Sequence, residues 1–228
     1  MVKFDQELFN RFVEDNGVYG FFEEAITLKS GRTSHFYANW RDVTQDVWLT
    51  EKLVEQVIAF VRNKGIDVDT FYGVPEGATK LGILSQFTWA KQQAGFGKGS
   101  HLLAMGRALP KEHGAAKDRY FLGKPQGKVV VLEDVTTTGG SSIKCIESLR
   151  DAGVEPVALV SLTNRMEKRD DGRSVEEAVT SIGVAFYSMS SAVDLLPSVF
   201  ARLQPGGAIA ASIEAEFKKY GVMPLKLA

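Results

Sequence analysis

Two adjacent carboxylates, Glu133 and Asp134, close a short apolar run from Val129 to Leu132. After them come Val135, then Thr136, Thr137 and Thr138, the pair Gly139 and Gly140, and Ser141 and Ser142. The run is long enough for a buried parallel strand and too short for a helix. A helical pattern from Ile143 to Leu149 follows the loop. A strand that ends in carboxylates and opens through a small hydroxylated loop into a helix N-terminus is equipped for a sugar phosphate. Loop amides and hydroxyls cradle phosphate oxygens, the helix dipole favours the anion, and the carboxylates suit sugar hydroxyls or a divalent cation. Thr and Ser are also ordinary helix caps. One cap needs one hydroxyl, however, and five hydroxyl residues surround this glycine pair.

Four further segments carry chemistry. Lys29 stands in the turn Lys29-Ser30-Gly31-Arg32, a compact cation suited to phosphate, and Phe36 and Tyr37 follow with faces that could stack on a planar ring. By itself that segment reads equally well as a solvated turn lysine with core-facing aromatics. Arg107 to Asp118 is a long polar, basic connection, and such loops in small domains are often lids. Tyr72 to Thr79 has Glu76 beside Gly77, where a missing side chain permits close approach of backbone to ligand. Its ending lacks the Gly-Lys-Ser/Thr of a P-loop. Arg165, at the end of an apolar run, offers a fork that matches a carboxylate, although the charged run from Glu167 to Arg173 also admits a surface arginine.

These residues need a scaffold, and the pattern supplies one. An amphipathic helix is expected over residues 3–15, with Phe4, Leu8, Phe9 and Phe12 on one side. Paired strands over 25–43 and a helix over 47–63 follow. Strands at 69–74, 101–106, 128–132, 156–162 and near 183–188 then alternate with helices near 77–93, at 140–151, and at about 192–203 and 208–219. That alternation indicates an α/β fold with a mostly parallel sheet, whose ligands bind beyond the carboxyl ends of the strands. The 228 residues suffice for a full core, and a net charge of -1 argues against a binder of nucleic acid that works through a basic surface. The lone Cys145 excludes an internal disulfide and reads as a packed thiol. No segment approaches a membrane span and no apolar signal core opens the chain, so a cytoplasmic protein is expected.

The stretch 129–142 resembles the phosphoribosyl-pyrophosphate (PRPP) signature of the type I phosphoribosyltransferases. Thr27 to Tyr37 is similar to the hood segment of the orotate phosphoribosyltransferases, in which a lysine after Thr-Leu contacts pyrophosphate and nearby aromatics line the base pocket. Arg107 to Gly114 is similar to that family's catalytic loop, Arg-Lys-x-x-Lys-x-His-Gly. Arg107, Lys111, His113 and Gly114 fall at its spacing, and Ala108 stands where a lysine is usual. Tyr72 to Thr79 occupies the place of the pyrophosphate loop, and Arg165 that of an arginine set against the orotate carboxylate.

The resemblance implies a type I phosphoribosyltransferase fold: a central, mostly parallel sheet flanked by helices, with a small N-terminal hood over about residues 1–43 and a core over about 44–228. It implies transfer of the phosphoribosyl group of PRPP to orotate, giving orotidine 5′-monophosphate and pyrophosphate in pyrimidine synthesis. Lys111, His113, Arg107 and Asp134 would be catalytic. PRPP would be held by these residues together with Lys29, Glu76, Gly77, Glu133, Val135, Thr136, Thr137, Thr138, Gly139, Gly140 and Ser141. Orotate would be received by Phe36, Tyr37, Thr137 and Arg165. Mg²⁺ would ride on PRPP without a dedicated protein cage. A homodimer with shared active sites is implied, with no nucleic-acid or membrane partner. The alternatives are a phosphoribosyltransferase for another base and a non-catalytic PRPP-sensing regulator.

Overall fold

The computed structural model describes residues 3–107, 112–113 and 119–227. Along the chain lie α1 (Gln6–Asp15), β1 (Tyr19–Thr27), β2 (Thr33–Ala38), α2 (Val47–Asn63), β3 (Thr70–Gly73), α3 (Thr79–Lys91), β4 (Met105–Gly106) and β5 (Phe121–Leu122). They are followed by β6 (Val129–Thr136), α4 (Gly140–Asp151), β7 (Pro156–Asn164), α5 (Val175–Ser181), β8 (Ala185–Ser191), α6 (Ala192–Leu203) and α7 (Gly207–Tyr220).

A parallel four-stranded sheet in the order β3-β6-β7-β8 forms the centre. The first halves of β6 and β7 read as continuous apolar runs because both faces are covered. Val130 and Leu132 of β6 join Phe71, Val160 and Leu162 in one core, with residues of α1, α2, α6 and α7. Val129 and Val131 point the other way, into a core with Tyr72, Leu159, Ile146 and Leu149 of α4 and Val179 of α5.

Local chemistry explains the element ends. Asp5 accepts the Leu8 N–H at 3.0 Å and starts α1, and Asp46 accepts the Leu49 N–H at 2.8 Å and starts α2. α2 stops at Lys64, before Gly65 at φ 64°, a left-handed conformation that glycine adopts without strain. On α1 the inward residues are Phe9 and Val13, while Leu8 is exposed; the buried stripe is rotated from the expected one.

Several expected strands change length. β1 begins at Tyr19 rather than near Ile26 and pairs antiparallel with β2 across an irregularity between Phe21 and Ile26. The strand expected over 101–106 is only Met105–Gly106, closed against Phe121–Leu122 as a two-stranded base for the connection between them. β6 runs four residues past Leu132, so Glu133 to Thr136 are strand, and α5 was not anticipated. Among the described residues no helix is long and apolar enough to cross a membrane.

The β1–β2 hairpin packs onto the sheet's helices rather than standing free. Phe36 stacks on Tyr19 at 6.5 Å and on Phe217 of α7 at 6.0 Å. Trp40 stacks on Phe9 at 6.0 Å, and its Nε1–H donates to Thr163 Oγ1 at 3.0 Å, which ties the chain after the hairpin to the end of β7.

Candidate active site

Beyond the carboxyl ends of β3 and β6 lies a cleft with two lobes, both lined by Lys29, Pro75, Glu133, Val135, Thr137 and Ser141. The first, about 430 Å³, is walled by Thr137 to Ser141, with Arg107 and Tyr120 also on its lining. The second, about 470 Å³, is lined by Tyr37, Arg41, Glu76, Gly77, Asp134 and Arg165 among others.

The two carboxylates differ in burial, Glu133 buried and Asp134 half-buried, and both line the second lobe. Glu133 turns inward, 5 % exposed, and accepts the Ser142 hydroxyl at 2.8 Å. Burial pushes its carboxyl well above the usual carboxylate range, and the neighbouring charge of Asp134 adds to the shift. Asp134 Oδ1 accepts the Val135 N–H at 2.9 Å, and the carboxylate lies against Gly77, where a Cβ would come within 2.5 Å of Oδ2. A side chain at Gly77 would therefore force the Asp134 carboxylate to move.

Past Thr136 the chain turns through Gly139, at φ 68°, into α4. Gly139 has no side chain with which to cap the helix, so the first N–H groups of α4 open onto the lobe lined by Thr137 to Ser141, an arrangement suited to an anion. Arg169 donates to the Thr138 carbonyl and steadies the loop from outside. Cys145 is buried, and its surroundings push its thiol upward, first through burial and then through the charge of Glu133; a packed thiol, not a nucleophile, results.

The structure brings most of the expected residues together. Lys29, Arg107, Glu133, Val135, Thr137, Thr138, Gly139, Gly140 and Ser141 line the first lobe, and Tyr37, Glu76, Gly77, Asp134 and Arg165 the second. Thr136 is buried behind them, its carbonyl accepting the Arg165 N–H at 2.9 Å. His113 is exposed and lines neither lobe. Lys111, Ala108 and Gly114 lie outside the described residues.

Two expected base-pocket residues are placed differently from the sequence reading. Phe36 is fully buried between Tyr19 and Phe217 and offers no face to the cleft. Successive residues of a strand point to opposite faces, so Tyr37 turns to the lobe because Phe36 turns to the core. Arg165 touches the lobe, yet it is 1 % exposed and held inside the protein. Its Nε donates to Glu167 at 2.7 Å and its Nη1 to the Phe36 carbonyl at 3.2 Å. Its Nη2 donates to Ser34 at 3.0 Å and to Glu216 at 2.9 Å, and the guanidinium lies 3.8 Å over the Phe36 ring. Four of its five N–H bonds are thus engaged inside the protein, two of them by buried carboxylates, while the residue still lines the lobe with Tyr37 and Thr137. Glu216 belongs to α7, so the carboxyl-terminal third braces the site as well as the fold.

Arg41, Arg169 and Glu216 carry no expectation in the sequence reading. For Arg41 the available signal was a basic residue just beyond the aromatic pair; the others act through contacts distant in sequence.

No family model matches the chain. An orotate phosphoribosyltransferase of Rhodopseudomonas palustris (strain BisB18) is 38% identical over 180 residues, which are 76% of this chain and 88% of that relative. Among solved structures, the orotate phosphoribosyltransferase of Francisella tularensis matches with a TM-score of 0.65 at 18% identity, over 94% of this chain and 99% of that one. The Mycobacterium tuberculosis H37Rv orotate phosphoribosyltransferase, in complex with PRPP, matches with a TM-score of 0.56 at 20% identity, over 83% of this chain and 98% of that one. The fold of the solved relatives is therefore the fold found here.

Proposed function

This chain belongs to the orotate phosphoribosyltransferase family, and from that premise we propose how its own residues divide the reaction. It is an enzyme that transfers the phosphoribosyl group of PRPP to orotate, giving orotidine 5′-monophosphate and pyrophosphate. One observation carries the reading of the site: a buried strand carries the Glu133–Asp134 pair and opens through Thr137 to Ser141 onto an uncapped helix N-terminus, beside a second lobe of about 470 Å³.

The 5′-phosphate sits at the N-terminus of α4, gripped by the loop amides and the hydroxyls of Thr137, Thr138 and Ser141. Glu133 and Asp134 hold the ribose hydroxyls. The negative charge of the pair favours positive charge that develops on the sugar and so stabilises the transition state. Pyrophosphate leaves across the boundary of the lobes, where Lys29 lies, beside the Glu76–Gly77 turn of the second lobe. Arg107, Lys111 and His113, from the connection between β4 and β5, complete the cationic surround and exclude water. Orotate lies in the second lobe, against Tyr37 and Thr137, with Arg165 as a fixed wall behind it.

Mg²⁺ fits this donor set. It would ride on the substrate phosphates and water without a dedicated protein cage, with the Glu76 and Asp134 carboxylates on the same lining. Bound there, the ion would screen the charge of the leaving pyrophosphate. The enzyme works as a homodimer in the cytoplasm, where each 107–118 connection closes over the partner's site.

Steady-state turnover of PRPP with orotate, adenine, hypoxanthine and uracil as co-substrates tests the assignment. Orotate alone should be consumed. Preference for a purine, or binding of PRPP with no turnover of any base, would overturn it.

A further inference from the structure

Three cations line the base-side lobe, Lys29, Arg41 and Arg165, and they are not equivalent. A guanidinium has five N–H bonds, and Arg165 spends four of them on Glu167, Phe36, Ser34 and Glu216. Its charge is matched inside the protein before a ligand arrives. The one N–H left, on Nη1, suffices for a single hydrogen bond to a ring oxygen but not for a fork on a carboxylate. Lys29 lines both lobes, at their boundary, and is a point charge placed where phosphates leave.

Arg41 lines the base-side lobe alone of the two, on the same lining as the Tyr37 side chain. Its backbone is fixed: the N–H donates to Asn39 Oδ1 at 3.1 Å, and the carbonyl accepts the Thr44 hydroxyl at 3.3 Å. The adjacent carboxylate, Asp42, is engaged by the side chains of Asn39 at 2.8 Å and Gln45 at 2.9 Å. The Arg41 guanidinium has no hydrogen bond or ion pair among the described residues. An anchored backbone with an uncommitted fork at the mouth of a lobe gives up no protein partner when it meets an anion.

We propose that Arg41 reads the carboxylate of the base and so determines specificity for an anionic pyrimidine. The proposal rests on the orotate assignment above. It divides recognition between two arginines: Arg165, neutralised and rigid, donates one hydrogen bond to the ring, and Arg41, charged and open, takes the carboxylate bidentately.

The test compares orotidine 5′-monophosphate with uridine 5′-monophosphate, which differ only in that carboxylate. Binding of each to wild type, Arg41→Gln and Arg41→Lys is measured by calorimetry, alongside the KM values for orotate and PRPP and the thermal midpoint. Arg41→Gln should weaken orotidine 5′-monophosphate and raise the orotate KM about ten- to a hundredfold, the loss expected of a charge-assisted pair. Uridine 5′-monophosphate affinity, the PRPP KM and the melting of this exposed position should stay at wild-type values, and Arg41→Lys should recover part of the loss. Equal losses for the two nucleotides, no loss for either, a raised PRPP KM or a lowered midpoint would each overturn the assignment to Arg41. A wild-type protein that neither consumes orotate nor prefers orotidine 5′-monophosphate would instead refute the underlying reading.

Discussion

Replacing Arg165 with alanine would leave Glu167 and Glu216 buried without the cation between them. Glu167 keeps a second partner, Arg32, at 3.0 Å, but Glu216 would retain only the Ser34 hydroxyl at 2.9 Å. Breaking a buried ion pair by removing one partner costs about 3–5 kcal/mol, and the contact with the Phe36 ring is lost as well. Arg165→Ala should therefore unfold at a clearly lower urea concentration than wild type. Its loss of orotate turnover would then be partly a loss of fold, so the residue's direct contact with the base cannot be measured with alanine. An unchanged urea midpoint would show that the network carries no net stability. The same arithmetic explains why the chain keeps an arginine here at all, since no other side chain can satisfy two carboxylates, a hydroxyl and a carbonyl from one planar group.

At the scale of elements, the site is a meeting of strand ends. β6 sets Asp134, the β3–α3 turn sets Gly77, and the two come so close that a methyl group on Gly77 would lie 2.8 Å from the Asp134 carboxyl carbon. Asp134 is held by the neighbouring N–H of Val135 and cannot give way without losing that bond. Gly77→Ala should displace the carboxylate by about an ångström and lower kcat/KM for PRPP by about a hundredfold, with the melting temperature nearly unchanged. Wild-type kinetics in that variant would mean that the position of Asp134 does not matter to the sugar. The expected strand at 128–132 stopped too early because its last residues are polar, yet they stay in the ladder: Glu133, Val135 and Thr136 remain in register with Ser161, Thr163 and Asn164 of β7. α5 had a legible signal that went unread. Ser174 and Glu177 form a capping box, with the Ser174 hydroxyl accepting the Glu177 N–H at 3.1 Å and Glu177 accepting the Ser174 N–H at 2.7 Å.

For the whole molecule, the proposed sharing of active sites makes a quantitative expectation. A Lys111→Ala chain and an Asp134→Asn chain should each be nearly inactive alone. Mixed in equal amounts and allowed to exchange, about half of the dimers become hybrids, each with one intact site, so about a quarter of all sites should recover activity in a symmetric, isologous dimer. No recovery after demonstrated subunit exchange would mean that each chain's loop serves its own site. The arrangement suits a loop that starts at Arg107, on the cleft lining, and whose sequence is polar and basic with few apolar residues to hold it against its own core.

The order of the elements other than α5 and β5, the parallel sheet and the phosphate loop were legible in the sequence because each depends on short-range pattern. A buried strand needs an apolar run, a tight loop needs glycine, and a helix end needs a cap or a ligand. Residues 47–63, 140–151 and 192–203 form the helices that their periodicity indicates. The clustering of Lys29, Glu76, Asp134 and Thr137 in one cleft also follows from strand ends that must converge in such a sheet. Which side each residue faces was decided by tertiary packing alone. Phe36 and Tyr37 differ by one position on β2, and only the arrival of Phe217 from α7 determines which of the two is core. Arg165 looked available because the two carboxylates that claim it are not visible together in the sequence: Glu167 belonged to an apparent surface run, and Glu216 is 51 residues away. Arg41 looked ordinary for the converse reason. Its distinction is a guanidinium without a hydrogen bond or ion pair among the described residues, on a lobe where the other guanidinium, that of Arg165, is held by two carboxylates.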